Sequence, residues 1–201
     1  LKSVENNRKT KIGKEKSQAG SIPRSLKVSM AVMFSAVAIA ASYTRPVYLN
    51  IEPMSIVIFL SGIALGLKIG AAVGSLSEAI FSQFNPYGPA PLPVFVAQIG
   101  CMMFIGISGG VFRRLYCESD SNLSISLKMG VAGFYLTLVF DLVTNLGSAI
   151  SFYNGDYAIA LLLGLYFMVI HVVSNTIIFG TIGPVVSRRV VYLIEKRGTI
   201  R

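Results

Sequence analysis

The sequence predicts an all-α membrane protein with six transmembrane helices and both termini cytoplasmic. Three observations carry this. Hydrophobic residues make up 53% of the 201 positions and charged residues 13%, against about 25% charged in a soluble domain, and mean hydropathy is +0.66. Several apolar runs reach the ~20 residues of helix that cross a ~30 Å hydrocarbon core. With six spans, all of the 18 Lys and Arg except Arg45 fall on one side, as expected when positive residues are retained on the cytoplasmic face.

The elements follow in order. Residues 1–25 carry Lys2, Arg8, Lys9, Lys11, Lys14, Lys16 and Arg24 among Ser, Asn and Gln. With no apolar periodicity this segment cannot offset its ordering entropy, and it reads as a mobile basic arm drawn to anionic lipid. Clear spans cover 26–43, 94–112, 128–150 and 158–183. The first is an uncleaved span rather than a signal peptide, because further apolar segments follow it. The stretch 54–84 fits one long tilted helix or two short ones turning near Gly66, Lys68 and Gly70. Charge decides: one helix would put Arg113, Arg114, Lys128 and the tail outside with Arg45, and two helices keep them inside. A six-helix domain then spans 26–187, a basic cytoplasmic tail follows over 188–201, and the outer loops are 44–53, 85–93 and 151–157.

Composition and motifs exclude several functions. The net charge of +9 lies outside the apolar runs, so it orients the chain in a bilayer and does not mark a nucleic-acid binder. Cys101 falls within a span and Cys117 in a cytoplasmic loop, so no disulfide is expected. No metalloprotease, lipase-type or nucleotide-binding signature occurs, one His gives no zinc ligand set, and the chain reads as a non-enzyme without a cofactor. Any ATP-driven step would belong to another chain.

Small residues recur on two segments. Gly62, Gly66, Gly70 and Gly74 make two short faces on either side of the expected turn, where helix backbones can approach closely. On the first span Ala31, Ser35, Ala36, Ala38 and Ala40 form another, suited to internal packing or to a membrane partner. The 85–93 loop has prolines at 86, 89, 91 and 93, which fix its backbone and make it a stiff, extended cover.

Polar groups within the spans are the strongest functional signal, since an ionisable side chain in hydrocarbon is costly unless paired or hydrated. Asp141 and Asn145 share one face of the fifth helix, as His171 and Asn175 do on the sixth. At ~1.5 Å per residue Glu78 lies ~9 Å and Asp141 ~14 Å below the outer ends of their helices, with His171 near the midplane. Two roles fit Asp141 and His171: a polar floor, with Asn145, for an outward-facing ligand pocket, or a tie between two helices. The candidate ligand-binding residues are therefore Glu78, Asn85, Tyr87, Gln98, Asp141, Asn145 and His171. Glu78 and Asp141 suit an amine-bearing or cationic solute, and the amides suit any polar heterocycle.

In order and topology the chain resembles the substrate-binding S components of energy-coupling factor transporters over residues 27–187. The likeness lies in the small-residue first helix, Ser61-Gly62-Ile63-Ala64-Leu65-Gly66, Phe84-Asn85-Pro86-Tyr87-Gly88-Pro89, Gln98 followed by Gly106, Gly109 and Gly110, Asp141-Leu142-Val143-Thr144-Asn145 and His171-Val172-Val173-Ser174-Asn175. The resemblance implies a multi-pass protein of the cell membrane that captures a vitamin or related micronutrient for import. Its implied partners are a transmembrane T component and two ABC ATPase subunits. It also implies a partner-binding A-x-x-x-A pattern on the first helix, matched by Ala31-x-x-x-Ser35 and by Ala36-x-x-x-Ala40. The family's tryptophan stacking has no counterpart in a chain without Trp, so Tyr43, Tyr48, Phe84, Tyr87, Phe152 and Tyr153 would supply aromatic faces. A different class, the stand-alone proton-coupled carrier, would use Asp141 and His171 as a relay. A lipid-directed enzyme would need reactive groups at the headgroup level, and the polar groups here lie deeper.

Overall fold

A computed structural model describes residues 23–43, 51–115 and 121–199. Most of the basic arm, Arg45, Tyr48 and Cys117 lie outside the described residues. Among those described the chain is all-helical: α1 (Arg24–Ser42), α2 (Met54–Leu65), α3 (Leu67–Phe84), α4 (Leu92–Leu115), α5 (Asn122–Phe152) and α6 (Tyr157–Thr199). The expected 54–84 hairpin is present, broken at Gly66, whose φ of 90° is one that a side chain resists.

Helix ends follow local chemistry. Pro23 and Pro53 precede α1 and α2, and Pro93 sits in the first turn of α4, where a missing N–H costs nothing. Ser121 caps α5 by accepting from the Ser124 amide at 3.1 Å, and Asp156 caps α6 through the Ile159 amide at 3.0 Å. Asn154 and Gly155, both at positive φ, turn α5 into α6. At the opposite end Arg113 donates to the Ala64 carbonyl at 3.4 Å, placing a cation at the negative end of the α2 dipole.

The interior is built around α2. Every residue of that helix except Val57 is buried, as expected for a helix apolar on all sides, and it packs against α1, α3, α4 and α6. Glycines let the neighbours close in. A methyl on Gly62 would strike the Gly106 carbonyl and the Gly110 amide, one on Gly70 the Gly106 carbonyl, and one on Gly109 the Phe59 carbonyl. The two small-residue faces of α2 and α3 therefore meet a third on α4, and Phe59, Phe112 and Phe179 fill the space beside them.

The outside is apolar. Val32, Val131, Leu162, Tyr166 and Val185 are among many large exposed side chains, the inverse of a water-soluble surface. Among the described residues four helical stretches are long and apolar enough to cross a membrane: Arg24–Ser42, Leu92–Arg114, Asn122–Phe152 and Tyr157–Leu193. α2, with 12 residues, is only ~18 Å long. α6, with 43 residues, reaches ~64 Å, so the segment set apart as a basic tail continues the helix through Thr199.

Candidate functional site

Polar side chains collect in two tiers. The upper tier lies at the end of the bundle where α3 passes into α4. There a cavity of about 300 Å³ is lined by Phe81, Ser82, Asn85, Tyr87, Gln98 and Phe152, with Gly88, Pro89, Ala90 and Pro91 along its rim. This is the low end of the ~300–1,000 Å³ range for small-molecule sites.

The loop over the cavity is held by Asn85. Its amide nitrogen donates to the Ser82 carbonyl at 3.0 Å and the Gly88 carbonyl at 2.9 Å, and its oxygen accepts from the Tyr87 amide at 2.9 Å. Gly88, at φ 92°, returns a bond to the Asn85 carbonyl, and the Ala90 amide reaches the Ser82 carbonyl. The expected stiff cover is thus a tight turn running into a non-helical Pro-Ala-Pro stretch, and the Asn85 side chain is occupied in forming it.

Beneath the loop, Ser82 Oγ is within donating distance of two acceptor oxygens, Glu78 Oε1 at 2.9 Å and Gln98 Oε1 at 2.6 Å. Glu78 is fully buried, one helical turn below Ser82 and so directly under the cavity floor. Tyr43 stacks edge-on against Phe81 with centroids 5.5 Å apart and donates to the Phe84 carbonyl, which fixes the wall from behind.

The lower tier is a buried chain of three titratable groups. His171 Nδ1 lies 2.8 Å from Asp141 Oδ1, and Nε2 lies 3.0 Å from Glu52 Oε2. All three are buried, and Phe140 covers the imidazole edge-on. Two contacts need two protons, held either by an imidazolium between carboxylates or by a neutral imidazole with one protonated carboxyl. Either way the three groups together carry a net charge of −1. One turn deeper Asn175 Nδ2 donates to Thr137 Oγ1 at 3.1 Å, so α5 and α6 are joined at two successive levels.

The candidate residues therefore separate. Asn85, Tyr87 and Gln98 line the cavity, with Glu78 below it, whereas Asp141 and His171 face each other in the second cluster. Asn145 donates to the Asp141 carbonyl of its own helix at 2.8 Å and packs against Gly164 of α6. None of Asp141, Asn145 and His171 lines the cavity. Among the described residues no group of three or more His, Cys, Asp or Glu is disposed to hold a metal ion.

Glu52 has no place in the sequence reading, which puts it in an outer loop. The short length of α2 explains its position: Ile51, Glu52 and Pro53 are non-helical, and Glu52 meets an imidazole ~21 Å along α6 from its start. Backbone of this kind is tolerated at depth only where protein or a water-filled cavity surrounds it. A single carboxylate two residues before a wholly apolar 12-residue helix is the signal that could have found it.

On α1 the structure separates the two small-residue patterns. Ser35 is buried, Ala31 is half-buried, and both line a groove with Ile69, Ala72 and Val73 of α3. Ala36 and Ala40 are exposed and lie outside that groove, whose outer edge is formed by Val28 and Val32.

No family model, curated protein or solved structure matches the chain.

Proposed function

We propose that this protein captures a small solute in the cavity beneath the 85–91 loop and hands it inward as the S component of an energy-coupling factor transporter, working with a T component and two ABC ATPase subunits in the cell membrane. The observation that carries the reading is the cavity itself. A loop stiffened by Asn85 and three prolines covers a chamber with aromatic walls and a polar floor of Ser82 and Gln98, at the end of the bundle away from Arg113. Six membrane-crossing segments with both termini cytoplasmic suit this arrangement, with the α2–α3 hairpin as the second and third, because the cavity then opens outside. The exposed Ala36 and Ala40 of α1 support docking on the T component through close approach of small residues. The solute is a vitamin or related micronutrient.

A second reading, the proton-coupled carrier, is favoured by Glu52, His171 and Asp141, since a two-proton chain inside a bundle is a relay in form. Reconstitution separates the two. Uptake into proteoliposomes that requires co-purified ATPase subunits and ATP, and that is abolished by Ala36→Trp with solute binding retained, is the expected result. Uptake driven by a pH gradient with this chain alone would reject the first reading for the second.

A further inference from the structure

The recognition chemistry of the cavity follows from one hydroxyl. Ser82 Oγ has a single proton and two acceptor oxygens beside it, Glu78 Oε1 at 2.9 Å and the atom placed as Gln98 Oε1 at 2.6 Å. With Glu78 ionised, its carboxylate is the stronger acceptor and takes the proton. Two oxygens 2.6 Å apart with no proton between them repel, so the Gln98 amide presents its NH2 to Ser82; the two ends of an amide have the same shape. The chain of donors then runs from Gln98 to Ser82 to Glu78, and the Gln98 carbonyl is left toward the cavity it lines.

Apart from the hydroxyl of Tyr87, a largely exposed residue, the remaining lining offers little competition for that role. The Asn85 amide is occupied by its own loop at both ends. Phe81, Phe152, Pro89 and Pro91 present flat apolar surfaces, which suit a ring. From these facts we infer that the cavity takes a flat, ring-bearing molecule with an N–H or O–H donor, recognised by the Gln98 carbonyl. The inference rests on the capture reading above and names the solute class of that site.

The test uses the full chain in lipid nanodiscs, with benzamide as the donor-bearing probe and N,N-dimethylbenzamide as its counterpart without N–H. Calorimetric titration should show benzamide binding roughly 2- to 10-fold more tightly, the equivalent of one neutral hydrogen bond. Gln98→Met, which keeps the length and removes the amide, should bring the ratio to about one. Ser82→Ala, which frees the amide to turn, should reduce it in between. Thermal unfolding of each variant confirms that the fold is retained. Equal or tighter binding of the dimethyl compound, a ratio unchanged in Gln98→Met, or no binding of either probe at millimolar concentration would overturn the inference. A failure of the import reading would look different: ATP-dependent uptake would be missing while the preference for benzamide persisted in the isolated chain.

Discussion

His171 Nδ1 and Asp141 Oδ1 meet at 2.8 Å across the α5–α6 interface, while the other nitrogen of the same ring lies 3.0 Å from Glu52. One imidazole therefore joins α5, α6 and the non-helical entry to α2. Removing one partner from a buried ion pair costs about 3–5 kcal/mol, because the other charge stays behind. His171→Leu, which leaves two facing carboxylates, should destabilise by that amount. Asp141→Asn keeps the shape and should cost about 1–3 kcal/mol. Both are read from thermal or denaturant unfolding in nanodiscs. Since none of the three lines the cavity, benzamide affinity per folded molecule should be unchanged. A lowered affinity in a fully stable Asp141→Asn variant would instead place Asp141 in the solute site.

Glycines on α4 differ sharply in what surrounds them. A methyl on Gly106 would collide with the Gly70 carbonyl and the Ala71 amide, which cannot rotate away, whereas Gly100 has open space around it. Gly106→Ala should destabilise by about 1–3 kcal/mol or more through forced separation of α3 and α4. Gly100→Ala should be neutral, or stabilising by up to ~1 kcal/mol through helix propensity. Equal effects of the two substitutions on the unfolding midpoint would remove close backbone approach as the reason for the α4 glycines.

Much of this architecture was legible because its signals are periodic or local. Apolar runs gave the helices, the charge balance gave two helices in 54–84 with a turn near Gly66, Lys68 and Gly70, and the proline spacing gave a stiff loop. The glycines of α2, α3 and α4 announced close packing, although their shared contact needed three dimensions. Helix rotation was less accessible. Asp141 and His171 were expected either in a pocket with Asn145 or against each other. Spacing along a helix gives a shared face but not what that face meets, so only the folded positions put Asp141 on His171 and turned Asn145 toward Gly164. Glu52 was expected in the 44–53 outer loop and is instead fully buried, because its depth depends on how far a non-helical segment descends before α2 begins. The same rotational phase decides α1, where Ser35 and Ala36 are adjacent in sequence and about 100° apart around the helix, yet one is buried and the other exposed.

The proposed topology puts the 85–91 loop outside and the α2–α3 turn inside. Tyr87 and Lys68 are both exposed, at opposite ends of the bundle. In a background with Cys117→Ser, a membrane-impermeant maleimide applied to intact cells should label Tyr87→Cys at once. It should label Lys68→Cys only after permeabilisation. The reverse pattern would invert the chain and remove the charge argument for cytoplasmic termini.

Asn85 separates a positioning role from a ligand contact. Its amide makes three bonds within its own loop, one to a backbone amide and two to carbonyls, and Ser82, a floor residue, is tied to the loop through one of them. Asn85→Ala removes all three and frees the backbone from Pro86 to Gly88. Asn85→Asp keeps the acceptor for the Tyr87 amide and loses both donors. If Asn85 acts by shaping the loop, hydrogen exchange at the Tyr87 and Gly88 amides should rise strongly in Asn85→Ala and less in Asn85→Asp. Probe affinity should fall in the same order, since an unformed cover must be ordered upon binding. The benzamide to dimethylbenzamide ratio should survive in both variants, because it is set by Gln98. If Asn85 contacts the solute directly, the ratio should collapse in Asn85→Asp while amide exchange stays slow. Calorimetry and exchange on the same samples distinguish the two outcomes, and slow exchange with a lost ratio would transfer recognition from Gln98 to Asn85.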